Sequence, residues 1–198
     1  MKAVIFDLGR VLVYYNHQAT LEAVAAISQV TVPELHALMV EVDHDLGIGA
    51  LSAADLHQFL VKRAGTTEDM DAFLHAYAAG IVRDDAALAY AVALQARAGV
   101  TVGVISNTNE AHVLWLDEYV PELDQLDLVM MSNEVGLTKP DPAIFTLMLE
   151  LLEVEPDQAL FIDDIETNTR AATALGITSI VHTDWAITRP RLEAWLAT

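Results

Sequence analysis

Two short apolar runs, Ala3-Val4-Ile5-Phe6 and Leu160-Phe161-Ile162, each stop at a carboxylate: Asp7 after the first, Asp163 and Asp164 after the second. A run of this length without polar alternation fits a strand buried on both faces, as in a parallel sheet covered by helices. In open α/β sheets the carboxyl ends of the strands frame the ligand crevice. Two such strands side by side would therefore gather acids into a metal-and-nucleophile site. Further runs at residues 101–105, 127–131 and 178–181 alternate with helical stretches at 85–98, 109–119, 142–153 and 167–175, which makes the expected class α/β with a parallel sheet. Gly99 and Gly176 fall just past two of these helices, where a left-handed cap is wanted.

Between the first two long strands lie some 70 residues, from about Asn16 to Val82, with no comparable run. Helical spacing is visible in Leu21, Val24, Ala25 and Ile27, again in Leu35, Leu38, Met39 and Val42, and in Leu56, Phe59, Leu60 and Ala64. Pro33 follows the potential cap Thr31, in a first turn that tolerates proline. This segment reads as a small helical bundle inserted into the sheet domain.

Composition removes several function classes. The chain has 198 residues, 54% of them apolar, enough for a substantial core. It contains no cysteine, which excludes disulfides and thiolate metal sites and suits a reducing cytoplasm. A formal net charge of −19, with only 10 Lys and Arg, argues against nucleic acid as a partner. Asp7 interrupts the first apolar run too early for a signal peptide, and no uncharged stretch approaches the roughly 18 residues of a membrane span. The reading is a soluble, cytoplasmic protein without a membrane partner; no feature of the sequence fixes an oligomeric state.

Two more polar stations complete a set. Ser106-Asn107 closes the run Val102-Gly103-Val104-Ile105, and Lys139 sits inside Thr138-Lys139-Pro140-Asp141-Pro142, where the following proline restricts its backbone. Asp7 within Phe-Asp-Leu-Gly-Arg-Val-Leu-Val, then Ser106-Asn107, Lys139 and Asp163-Asp164, in that order, resemble the haloacid dehalogenase (HAD) superfamily, mostly phosphatases that work through an aspartyl-phosphate. Gly9 in the first motif, Ser106-Asn107-Thr108-Asn109 and Leu175-Gly176-Ile177-Thr178-Ser179-Ile180 resemble its bacterial branch that contains α-D-glucose-1-phosphatase.

The resemblance implies a Rossmann-like core over residues 1–15 and 83–198 and an all-helical cap over 16–82. It implies a Mg2+-dependent phosphatase acting on a small phosphorylated metabolite, a sugar phosphate such as glucose 1-phosphate. Asp7 would be the nucleophile, dividing one hard displacement into two easier ones. Ser106 and Asn107 would hold phosphoryl oxygens, and Lys139 would neutralise the phosphate and orient Asp7. Magnesium takes hard oxygen ligands, here Asp7, the Gly9 carbonyl and one or both of Asp163 and Asp164. Asp164 is the expected direct ligand, with Asn168 supporting it one helical turn on.

Position 9 departs from the pattern. The superfamily normally has a second aspartate there, which gives a proton to the leaving group and later takes one from water. Glycine keeps the carbonyl for the metal but removes a proton carrier worth about 100- to 10,000-fold. A leaving group that needs little help, such as a sugar 1-phosphate, answers this, and so would a cap residue such as Asp43, His44 or Asp45. Two rival readings remain: a 2-haloacid dehalogenase, whose aspartate attacks carbon without a metal, and a non-catalytic metabolite-binding protein on a HAD scaffold.

Other residues carry weaker signals. Arg10 follows the first motif and would either touch a leaving group or face solvent. The seven histidines show no metal-ligand spacing. Trp115 and Tyr119, at helical spacing, fit packing better than a sugar platform.

Overall fold

The apolar runs pair as a five-stranded parallel sheet, described with the rest of residues 1–198 by a computed structural model. The strands are β1 (Lys2–Phe6), β4 (Val100–Ser106), β5 (Leu128–Met131), β6 (Ala159–Asp163) and β7 (Thr178–Val181), in the spatial order β5-β4-β1-β6-β7. Phe6 is in register with Val104 on one side and Ile162 on the other, so Asp7, Ser106 and Asp163 arrive at one edge of the sheet. The chain builds outward from β1 in one direction and then returns to build in the other. That reversal is where open α/β sheets form a crevice.

Both faces are covered, which is why the inner strands are largely apolar. Val4, Phe6, Val102, Val104, Leu160 and Ile162 pack on one face against α5 (Asp85–Gln95), α6 (Glu110–Tyr119) and α10 (Trp185–Leu196). Ala3, Ile5, Ile105 and Phe161 pack on the other against α8 (Pro142–Leu152) and α9 (Glu166–Ala174). Helix α5 stops at Gln95, three residues before the expected 98, because the chain turns through Arg97 into Gly99 at φ 80°. Gly176 is also left-handed, at φ 93°. The short α7 (Ser132–Val135) follows β5 directly.

The segment between β1 and β4 holds four helices, α1 (His17–Ala26), α2 (Val32–Gly47), α3 (Ala53–Ala64) and α4 (Met70–Tyr77). The Glu34 carboxylate at the start of α2 accepts from the Thr31 N–H at 2.8 Å and from its hydroxyl at 2.7 Å, closing the first turn that Pro33 enters. The layer has its own apolar cluster, including Leu21, Val24, Leu35, Leu56, Leu60 and Phe73. Ala111 of α6 completes that cluster, and Glu110 accepts from the Ala53 N–H at the start of α3, so the layer is docked on the first turn of α6. The chain enters and leaves it through two short strands unforeseen in the sequence, β2 (Val13–Tyr15) and β3 (Ile81–Arg83), paired antiparallel. No helix is long and apolar enough to cross a membrane.

Candidate active site

Four sheet ends and loops converge on Asp7, just past β1 and 7% exposed. Lys139, on the loop before α8, is 4% exposed and donates from Nζ to Asp7 Oδ1 at 2.6 Å, Asp163 Oδ2 at 2.8 Å and the Ile105 carbonyl at 2.9 Å. An ammonium has three protons, so all of Lys139's donors are engaged. Lys139, which its place in the sequence put with Asp7, is the buried cation beside it.

Asn107 explains how it is held. Its amide donates to the Lys139 carbonyl and its side-chain oxygen accepts from the Lys139 N–H, both at 2.8 Å. The side chain of Asn107 therefore clamps the lysine's backbone. Thr108 is fixed in turn, its N–H donating to Ser132 Oγ at 2.9 Å while that hydroxyl donates to the Thr108 carbonyl at 3.1 Å. The cap of α6 is Asn109, which accepts from the His112 N–H, so Ser106 and Asn107 are free of that duty. Ser106 is buried at the end of β4 and faces the same cavity as Asp7.

Asp163 and Asp164 diverge as adjacent side chains leaving a strand should. Asp163 is fully buried and bonded to Lys139, to the Ile165 N–H and to Asn168. Asn168, expected behind Asp164, instead donates to both oxygens of Asp163, at 3.2 and 3.0 Å, because it sits one turn into α9 under the inward-pointing acid. Asp164 lines the cavity, with Arg10 at 3.5 Å. Arg10 is left-handed at φ 61° and its side chain is 67% exposed, at the cavity rim. Carboxylate oxygens of Asp7, Asp163 and Asp164 all lie within 4.8 Å of one another. Burial pushes the Asp7 carboxyl up to about 6, against the pull of the Lys139 ammonium and with the charge of Asp163 adding to the rise. Three acids around one ammonium leave negative charge uncompensated, and this all-oxygen donor set fits a hard divalent cation.

These groups open into a cavity of about 600 Å³. Its lining includes Gly9 and, from the helical layer, His17, Asp43, His44 and Tyr77. Asp45 is not among the lining residues. Tyr15 and His112 also line it and escaped the sequence reading, since neither stands in a pattern with the other site residues. The Tyr15 hydroxyl lies 3.2 Å from His17 Nδ1. His112 is buried beside the Tyr15 and Tyr77 rings, and burial pushes its imidazole down to about 4. Trp115 and Tyr119 stack on each other along α6 and are absent from the lining.

A parallel sheet with a lysine-bound aspartate at its switch point and an acidic pair one strand away defines a hydrolase of the HAD class. The chain matches the haloacid dehalogenase-like hydrolase family over residues 1–176 and belongs to it. Phosphoglycolate phosphatase of Rhodospirillum rubrum is 32% identical over 91% of this chain and 78% of its own length. D-ribitol-5-phosphate phosphatase of Bacteroides thetaiotaomicron is 28% identical over 89% of each. A HAD family enzyme of Bacteroides thetaiotaomicron, crystallised with magnesium and inorganic phosphate, superposes with a TM-score of 0.83 at 23% identity, over 94% of this chain and 98% of that one. Two much longer mammalian proteins match over short stretches only, the chain spanning 7% and 10% of their lengths.

Proposed function

We propose that this chain is a magnesium-dependent phosphomonoesterase that hydrolyses a small phosphorylated metabolite through an aspartyl-phosphate on Asp7. The observation that carries the reading is the buried Lys139, bonded to Asp7 at 2.6 Å and to Asp163 at 2.8 Å, beside an acid set suited to a divalent cation. Asp7, Asp164 and the Gly9 carbonyl would hold magnesium, with Asp163 held behind them by Lys139 and Asn168. Bound there, the cation would neutralise phosphoryl charge.

The chain's own residues do the rest. Asp7 attacks phosphorus through a carboxylate oxygen as the P–O bond to the alcohol breaks, and the leaving oxyanion takes its proton from solvent; water then attacks the aspartyl-phosphate, loses a proton to solvent and frees Asp7 and inorganic phosphate. Lys139 fixes the rotamer of Asp7 and lends positive charge to the phosphoryl group without spending a donor on it. The Ser106 hydroxyl and the main-chain N–H of Asn107 bind phosphoryl oxygens, a division of labour set by the engagement of the Asn107 amide with Lys139. The helical layer, as a cap over residues 16–82 on the core of 1–15 and 83–198, excludes water and selects the alcohol. Gly9 favours an ester whose leaving group needs little help from an acid, so a sugar 1-phosphate such as glucose 1-phosphate is the substrate we favour. A cysteine-free chain supports a cytoplasmic setting.

Phosphate release from a sugar-phosphate panel led by α-D-glucose 1-phosphate, with magnesium or EDTA, tests this. Turnover that needs magnesium and vanishes in Asp7→Asn is the expected result, with the 1-phosphate faster than the 6-phosphate. Halide release from 2-haloacids without magnesium would establish the dehalogenase instead, and tight binding of esters without turnover the non-catalytic scaffold.

A further inference from the structure

The walls of the cavity differ in charge. On the sheet side stand Asp7, Asp164, Lys139 and Arg10; the helical layer contributes His17, Asp43, His44 and Tyr77, but no lysine or arginine. Of the sheet-side cations only Arg10 has donors to spare, and it stands at the rim, 67% exposed. Lys139 has all three donors engaged, and Arg10 lies at the rim beside Asp164. The layer's own lysine and arginine, Lys62 and Arg63, do not line the cavity, and Arg63 is paired with Glu41 at 3.1 Å. Burial chiefly raises the phenols of Tyr15 and Tyr77, and the charge of Asp43, which lines the same cavity, adds to each rise.

We propose that Asp43 is a specificity-determining residue that rejects phosphate esters carrying a second anion, so that the substrate's alcohol is uncharged. This rests on the phosphatase reading. A carboxylate on the alcohol would face the Asp43 carboxylate with no lysine or arginine from the layer to balance it, and like-charge juxtaposition disfavours the wrong partner. An uncharged polyol meets the phenol of Tyr15, the imidazole of His17 and the Asp43 carboxylate, all partners for a hydroxyl.

Two matched pairs of esters test it: glycerol 3-phosphate against 3-phosphoglycerate, and 2-hydroxyethyl phosphate against phosphoglycolate. Each pair differs in replacing a hydroxymethyl group by a carboxylate. The wild-type protein should favour the uncharged member by about tenfold or more in kcat/KM. Asp43→Asn should narrow the ratio and Asp43→Lys should abolish or invert it; Asp43 is exposed on α2, so both variants should fold. The same pairs are titrated calorimetrically into Asp7→Asn with magnesium. If the wild-type protein turns over α-D-glucose 1-phosphate but none of these four esters, the binding ratios decide the selection by charge; if it turns over no phosphate ester at all, the phosphatase reading fails and the binding ratios still decide it. Equal handling of both members, a ratio unmoved in both Asp43 variants, or binding of neither ester overturns the proposal.

Discussion

Gly9→Asp should increase hydrolysis of ordinary alkyl phosphates while leaving the fold intact. The backbone at Gly9 is not left-handed, and a Cβ built there meets only Tyr15 Cβ, at 3.8 Å, an ordinary van der Waals contact. Unlike a glycine forced by geometry, this one accepts a side chain without a steric penalty, and the like charges it joins set the cost in stability. Gly9 lines the same cavity as Asp7, which puts the new carboxyl beside the reaction and among like charges that raise its pKa and keep it able to donate a proton. A positioned acid and base contributes about 100- to 10,000-fold; the lower figure corresponds to roughly 2.7 kcal/mol off the barrier. The gain should depend on the leaving group. It should be large for n-propyl phosphate, whose alcohol must be protonated as it departs, and small for p-nitrophenyl phosphate, whose phenolate leaves unaided. The assay is kcat/KM for both esters in the two proteins at saturating magnesium. If the ratio of the two esters does not move in a folded variant, or if both rise together, proton transfer at position 9 is not what this chain lacks.

Lys139→Met leaves Asp7 and Asp163 buried without their cation, and should cost about 3 to 5 kcal/mol at neutral pH without magnesium, read by urea unfolding, together with loss of turnover. Gly49→Ala places a Cβ 1.9 Å from the Asn133 carbonyl oxygen at φ 73°, and should cost at least about 1 to 3 kcal/mol in the same experiment. His112 has its pKa lowered from 6.5 to about 4 by burial, so the unfolded chain takes up its proton first as pH falls. Its contribution is complete above pH 6.5 and is lost between there and about 4, on the order of 3 kcal/mol in all. Asp7, raised to about 6, acts in the opposite sense over an overlapping range. The difference in pH profile between the wild-type protein and His112→Gln isolates the histidine, and parallel profiles would count against this assignment.

The sheet was legible because its signal is local: the inner strands are largely apolar runs, and the structure moves the strand ends by one residue or so. The ribbon β2–β3 was not, since three residues are too few to show a period of two. Helix α10 was hidden for a related reason, with Pro190 inside it and only Thr188 and Leu192 buried along its length. At the site, Asp7, Ser106, Lys139, Asp163 and Asp164 announced themselves by standing at strand ends or beside a proline. The clamp of Asn107 on Lys139 joins residues 32 apart and depends on a loop geometry that no spacing encodes. Tyr15 and His112 stand 97 residues apart and meet, with Tyr77 of the helical layer, only through the tertiary fold, which leaves no linear trace.

The pairing of Tyr15 with Ile81 and of Val13 with Arg83 has a consequence for how such a chain can change over generations. The polypeptide departs and returns through neighbouring strands, about 5 Å apart. The ends of the intervening segment therefore meet whatever lies between them. Residues 16–80 can be lengthened, pruned or exchanged for another unit with adjoining ends while the register of the sheet stays as it is. Asp7, Ser106, Lys139 and Asp163 lie outside that segment, and His17, Asp43 and Tyr77 lie inside it. The two walls of one cavity are thus inherited on separable lengths of gene, and either can drift while the other is held.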